Sequence, residues 1–402
     1  MPVLKNYKKD FPWFENNKNL VYLDNAATTL KPMSMIKAVN EYYEKLSANP
    51  HSDNDLAMKV KKGMDETRKL LAKYLEADID EVFFTSGSTE SVSLVANSML
   101  DILNEGDEIV LTYLEHDSDV VPWLRLKQRK NVKLVFVGKD STFVTAEEIK
   151  NALTPKTRLV CFTGASNLLA DEVDIRKIVD TIKQFNPKIF VLCDTTQYIE
   201  HFPVRCHYNK FDFCVGSGHK MIAPTGTGFL YIKKEWYDIM TPLKYGGDMN
   251  SEISETGFKY AAGPHKFEGG TPNAAGLYAW KESLKYLLAI GADKIIKREK
   301  DLKEYFLKHM PKRSDFVLYS KSPATPLITF NFMDKDGKPV DFHSVERYFA
   351  KNNIVVRGGL ASASLAKYPL HVDGVIRASM LFYNDYEDID RLIQVLNKFP
   401  KH

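Results

Sequence analysis

Cysteine is scarce in this sequence: four residues in 402, at positions 161, 193, 206 and 214. They form no C-x-x-C pair and no metal-ligand spacing, which argues against a cysteine-based metal site or a redox dithiol. Sparse thiols suit a reducing compartment, and the cytoplasm is the expected location. Long apolar runs are missing as well. No stretch approaches the roughly 20 residues that span a bilayer. The opening MPVLKNYKKDFPWFENNKN has no apolar signal core and reads as a polar arm. Charge of one sign is not in excess either: 55 Lys and Arg oppose 52 Asp and Glu, a net charge of +3. That is too little to make nucleic acid or an anionic membrane the main partner. Internal repeats, low-complexity tracts, a G-x-G-x-x-G turn and a Walker A loop are all absent.

What is present is ordinary in bulk and specific in pattern. Hydrophobic residues make up 44% and charged residues 27%, enough for a sizeable core in two or three domains. EIVLTY (108–113), LVFVG (134–138), LVCFTG (159–164), IFVLCD (189–194) and FDFCVG (211–216) are rich in Val, Ile and Phe without strict alternation. Strands buried on both faces have that character. AEEIKNAL (146–153) and DIRKIVDTIKQF (174–185) read as helices between them. Leu56, Val60, Met64, Leu70, Leu71 and Tyr74 recur at helical spacing over 55–75. The alternation predicts an α/β fold with a large domain, 21–285, around a mostly parallel sheet. After about residue 285, helical segments (292–309, 340–351, 385–398) flank the shorter strands LITFNF (327–332) and IVVRG (354–358). A smaller α+β domain is expected there, built from 286–402 together with 1–20.

The most informative stretch is FDFCVGSGHKMIAPTGTGFLYI (211–232), where a buried strand runs into Ser-Gly-His-Lys and a Pro/Gly turn leads to another strand. A lysine at the mouth of a parallel sheet sits where α/β proteins hold ligands. Desolvation there lowers its pKa and favours Schiff-base chemistry, whereas a lone lysine at a strand end is ordinarily solvated. Two further features favour the first reading. Asp194 ends the strand IFVLCD at the same edge of the sheet. A carboxylate so placed keeps a pyridinium nitrogen protonated and makes pyridoxal phosphate (PLP) an electron sink. Upstream, FFTSGSTESVSLVANSML (83–100) takes a strand through a Gly/Ser/Thr turn into a helix, whose free N–H groups and hydroxyls would cradle a phosphate.

In these motifs and order the chain resembles the cysteine desulfurase family, in the SufS-like branch of the class V, fold-type I PLP enzymes. VYLDNAATTLKP (21–32) resembles the opening motif and SGSTE (86–90) the phosphate turn, with Ser88 and Thr89 as phosphate ligands. LEHDSDVVPW (114–123) is similar to the segment whose first histidine, here His116, stacks on the cofactor ring. ASNLLA (165–170) implies Asn167 as a ligand of the substrate carboxylate. DTTQ (194–197) implies Asp194 at the pyridine nitrogen and Gln197 at the phenolic oxygen. SGHK (217–220) implies Ser217 and His219 at the phosphate and Lys220 as the Schiff-base lysine. FEGGTPN (267–273) implies a homodimer in which Thr271 serves the neighbouring subunit's phosphate. RASMLFYNDYEDIDRL (377–392) resembles the closing motif, with Arg377, joined by Arg357, on the substrate carboxylate.

The resemblance breaks at one residue. The family carries a sulfur-accepting cysteine on a loop between two arginines, here VVRGGLASASLAKYPLHVDGVIRAS (355–379). Aligning on Arg357 and Arg377 puts Ser362 in that position, followed by Ala363. Cys193 and Cys214 lie inside core strands and cannot replace the thiol. A thiolate attacks sulfur near neutral pH, whereas a serine hydroxyl needs a dedicated base. Ser362 is either the native residue or a replacement of cysteine; LASASLA carries nothing that chooses. The resemblance implies action on the C–S bond of L-cysteine or a close analogue. With a loop cysteine the product is alanine, and a sulfur-acceptor protein is a further partner. The alternatives are a lyase giving sulfide and pyruvate, or a class V aminotransferase or epimerase. A non-catalytic family member would be expected to lose the lysine that this chain keeps. No metal is expected.

Overall fold

A computed structural model describes residues 5–169 and 173–401. Ala170, the last residue of ASNLLA, and the first four residues of the N-terminal segment lie outside the described residues.

The central sheet has seven strands: β1 (Val82–Thr85), β2 (Glu108–Thr112), β3 (Lys133–Val137), β4 (Thr157–Thr163), β5 (Phe190–Asp194), β6 (Phe213–Ser217) and β7 (Gly228–Ile232). Their order across the sheet is β1-β7-β6-β5-β4-β2-β3. The run from β6 to β3 is parallel, and β7 is antiparallel to both of its neighbours. Strands β2, β5 and β6 are buried along their whole length. Val110, Val160 and Val191 face one hydrophobic layer, while Ile109, Leu159 and Leu192 face the other. Burial on both faces is why these segments read as continuous apolar runs. The helix Ser88–Ile102 follows β1, and Ile175–Phe185 lies between β4 and β5. With parallel strands, both β5 and β6 end at the same edge, which brings Asp194 and the turn after Ser217 together.

A second, antiparallel sheet holds Phe316–Leu318, Leu327–Phe332, Val375–Ser379 and Arg357–Gly359, in that spatial order. Its core includes Phe330, Phe332, Phe349, Ile376 and Leu392. The short strand Val21–Tyr22 pairs in parallel with Ile354–Val355, and Val21 and Leu23 join this second core. In the register of this sheet Arg357 lies opposite Arg377.

Three sequence expectations are corrected. The N-terminal segment is not a free polar arm. Tyr7 and Phe11 are buried, and their rings meet Phe382 edge-on at 5.4 and 6.1 Å. Its polar residues alternate with aromatics whose partners lie far along the chain. The helix over 55–75 forms with the expected bounds, but Leu56 is exposed, and Ala57, Gly63 and Ala72 supply its buried face with Val60 and Leu71. IVVRG is not one strand: it divides at Val356 into Ile354–Val355 and Arg357–Gly359, which belong to different sheets.

Candidate active site

Twelve of the expected site residues line one cavity of about 220 Å³: Ser88, Thr89, His116, Asn167, Asp194, Gln197, Ser217, His219, Lys220, Arg357, Ser362 and Arg377. They come from strand ends, turns and one long loop, and the sheet edge gathers them. Lys220 lies in a short turn directly after β6. It is 7% exposed, and its Nζ donates to the carbonyls of Ala26 and Ala27, the latter at 3.0 Å. Burial, with a smaller contribution from Arg377, pushes its pKa down to about 8, against the opposing negative charge of Glu200. A lysine of that kind is a neutral amine in appreciable fraction near neutral pH, which nucleophilic and base chemistry both require.

Asp194 closes β5 and accepts the Thr196 N–H at 2.8 Å. Burial raises its pKa, and the hydrogen bonds from Thr196 counter this first, followed by the positive charge of Lys220. The His116 ring accepts the Ser118 N–H at Nδ1 (3.1 Å), which leaves its proton on Nε2. Burial lowers its pKa, so the ring is neutral near pH 7. His219 is pushed down to about 3, first by burial and then by Lys220 and Lys31.

At the other end of the cavity two turns meet. The Ser217 hydroxyl accepts the Ser88 N–H at 3.0 Å and pairs with the Ser88 hydroxyl at 2.9 Å. Thr89 and Ser118 share a hydroxyl contact at 2.7 Å. Glycine is required here for approach: a Cβ on Gly228 would stand 2.4 Å from the Cα of Gly87. The result is a cluster of hydroxyls and backbone N–H groups at the start of a helix, the arrangement that suits an anion.

The remaining wall carries Asn167, Arg357 and Arg377, whose donors suit a carboxylate. Arg377 is 1% exposed; it donates to Asp24 Oδ1 at 2.7 Å and to the carbonyl of Asn167 at 2.9 Å. Asn167 donates in turn to the carbonyl of Ala361 at 2.7 Å. Gln197 donates to Ala26 at 2.8 Å. Three buried polar atoms on this wall, Arg377 Nε, Asn167 Oδ1 and Gln197 Oε1, have no hydrogen-bond partner among the described residues. Unsatisfied polar atoms are costly when buried, and a cluster of them around a cavity marks where a polar ligand fits.

Comparison with known proteins settles the family. Residues 21–392 match the model of aminotransferase class V. A probable cysteine desulfurase of Ureaplasma parvum is 38% identical over 399 residues, covering 99% of this chain and 98% of that protein. The chain belongs to the cysteine desulfurase family. The crystal structure of the Escherichia coli cysteine desulfurase CsdA superposes with a TM-score of 0.89 at 29% identity, over 98% of this chain and 97% of that one. The cystine C–S lyase C-DES shares the fold, with a TM-score of 0.85 at 20% identity over 96% and 99% of the two chains. The fold therefore houses a C–S lyase as well as desulfurases, and does not by itself choose the fate of sulfur.

In this desulfurase-family chain Ser362 is exposed at the cavity wall, and its carbonyl accepts the Asp117 N–H at 2.6 Å. Among the described residues no acid or base hydrogen-bonds its hydroxyl. All four cysteines are unpaired and fully buried, and burial raises the thiols of Cys161, Cys193 and Cys206 well above their usual range. Thr271 is not in the Lys220 cavity. It is exposed beside a second one of about 140 Å³, with Glu90, Lys244 and Glu268. Sequence reasoning missed Asp24, the partner of Arg377, although it lies within VYLDNAATT. It also missed the carbonyls of Ala26 and Ala27, which have no side-chain signature.

Proposed function

We propose that this chain is a PLP-dependent enzyme that breaks the C–S bond of L-cysteine, and that the sulfur leaves as sulfide rather than passing to a protein thiol. The observation that carries the proposal is one cavity combining Lys220, Asp194, His116, Asn167 and Arg377 with a serine, not a cysteine, on its loop.

The residues present fit PLP. A buried, partly neutral lysine suits an aldehyde. The hydroxyls of Ser88, Thr89 and Ser217, with neutral His219, suit a phosphate. Asp194 suits a pyridine nitrogen, the His116 ring a stacking face, and Gln197 a phenolic oxygen. When bound, the cofactor supplies the sink that stabilises negative charge at the substrate Cα. The chain's own groups do the rest. Arg377 and Asn167, with Arg357, grip the substrate carboxylate, using the unpaired Arg377 Nε. Lys220 Nζ takes the Cα proton. The Cβ–S bond breaks with its electron pair on sulfur, and the Nε2–H of His116 on the cavity wall offers that sulfur a proton. Water completes the balance: L-cysteine and one water give pyruvate, ammonia and hydrogen sulfide, with no external oxidant or reductant.

The same reading makes the chain a homodimer in which Thr271 reaches the partner subunit's phosphate, supported by its exposure outside its own cavity. It also takes 21–285 as the large domain and 1–20 with 286–402 as the small one, with the two sheets as support. No helix among the described residues is long and apolar enough to cross a membrane, and unpaired cysteines are in keeping with the cytoplasm. The second reading is sulfur transfer with alanine as product; the family favours it, and it requires a thiol in the position of Ser362. Purified holoprotein should be given L-cysteine while alanine, pyruvate and sulfide are measured separately. Equal pyruvate and sulfide are expected. Alanine together with a persulfide on one of the four cysteines would overturn elimination.

A further inference from the structure

The loop that carries Ser362 is held in a backbone conformation that its sequence resists. Ala361 and Ser362 have φ of 46° and 60°, two consecutive non-glycine residues in the left-handed region. Such a pair persists only where its surroundings over-determine it. The restraints come from two places. Asn167 donates to the carbonyl of Ala361 at 2.7 Å. Asp117, the neighbour of His116, supplies the others: its N–H donates to the carbonyl of Ser362 at 2.6 Å. Its carboxylate accepts the Ser364 N–H at 2.9 Å and the Ser364 hydroxyl at 2.8 Å. Each carboxylate oxygen therefore takes one donor from the loop, in the manner of a helix cap, at the start of the short turn Ser364–Ala366.

We propose that Asp117 is a positioning residue that latches the Ser362 loop closed over the cavity, so that residue 362 faces the substrate site as a fixed wall. The latch rests on the cavity assignment above but needs no particular fate of sulfur. Its two ends belong to the machinery on either side: Asp117 follows His116 directly, and Asn167 touches both the loop and Arg377. Closing the loop and ordering the carboxylate grip are consequently one event. The bonds to Asp117 are exposed, so the latch opens readily when its carboxylate is removed. The backbone bond to Ser362 remains in any variant of residue 117 except proline.

The four native thiols are fully buried, which makes thiol reactivity a clean reporter. Ala363→Cys, at a fully buried position of the loop, adds a thiol that iodoacetamide reaches only when the loop opens, and its alkylation in PLP-loaded protein, without cysteine, reports opening independently of turnover. Adding Asp117→Ala should speed alkylation on the order of tenfold, as expected for losing two charge-assisted hydrogen bonds at an exposed site. Asp117→Asn, which keeps one acceptor oxygen, should lie between. Ser364→Ala removes only the hydroxyl bond and keeps the fold, and should give a smaller increase. In the parent sequence Asp117→Ala should raise KM for L-cysteine more than it lowers kcat, since Lys220 and His116 keep their places and only the loop is released. Alkylation rates unchanged in both Asp117→Ala and Ser364→Ala would overturn the latch. If alkylation accelerates while the protein yields no product from cysteine at all, the latch stands and the proposed function falls.

Discussion

The two walls of the cavity are built on different principles. The sheet wall carries Asp194, Ser217 and Lys220 at the ends of buried strands, 5%, 4% and 7% exposed. Their positions follow from the strand register, and moving any of them would disturb the central core. The loop wall carries Ser362 on a segment in a strained conformation, held by one hydrogen bond from Asn167 and three with Asp117. On the proposed function, proton handling falls on the rigid wall and the fate of sulfur on the loop wall. On that reading one loop substitution changes the product without refolding the sheet.

The strongest way to break this contrast is on the sheet wall. Lys220→Ala should lower product formation by about 10³-fold or more and change the visible absorbance of the PLP-loaded protein. An unchanged spectrum would remove Lys220 from the site. On the loop wall, Ser362→Cys should leave stability nearly unchanged and make alanine a major product, at least ~tenfold above the parent, because a thiolate is accessible near neutral pH. Persistent pyruvate with no alanine would make the chain a lyase on both walls.

A pH profile sharpens the description of the rigid wall. Only the neutral amine condenses with an aldehyde. Burial holds Lys220 near 8. Capture of PLP by protein stripped of it should therefore accelerate about tenfold per pH unit below pH 8 and level off above it. Glu200 favours the charged lysine, so Glu200→Gln should move the break to lower pH. A break near the ordinary lysine value would mean that Lys220 is solvated. The smallest effect is expected at the second cavity: Thr271→Ala should weaken PLP retention several-fold, the loss of one hydrogen bond to a charged group, and leave the dimer intact by light scattering. A monomer that holds PLP fully would contradict the shared site.

Much of the rigid wall was legible in the sequence because strands announce their ends. IFVLCD and FDFCVG stop at Asp194 and just before SGHK, and parallel pairing brings those ends together. The loop wall was legible only in part. The family resemblance, aligned on Arg357 and Arg377, singles out Ser362, but the clasp by Asp117 joins residues 247 apart with no local signature. The N-terminal segment misled for the same reason. Tyr7 and Phe11 look solvated beside Lys8, Lys9 and Asp10, and partners far along the chain, Tyr286, Phe382 and Tyr383 among them, pack against their rings. Asp24 lay in a recognised motif, yet its pairing with Arg377 spans 353 positions.

The contact of Gly228 with Gly87 acts as a gauge block. It sets the distance between the turn that would hold the phosphate and the strand that leads back from the lysine, using main chain against main chain with no side chain to compress. On the proposed function, that spacing sets how far apart a bridging molecule holds its anionic and its electrophilic ends. The site thereby measures the span of its cofactor before any side chain tests its chemistry. A bulkier residue at Gly228 would change that span, and with it the molecule admitted, while every catalytic group kept its identity.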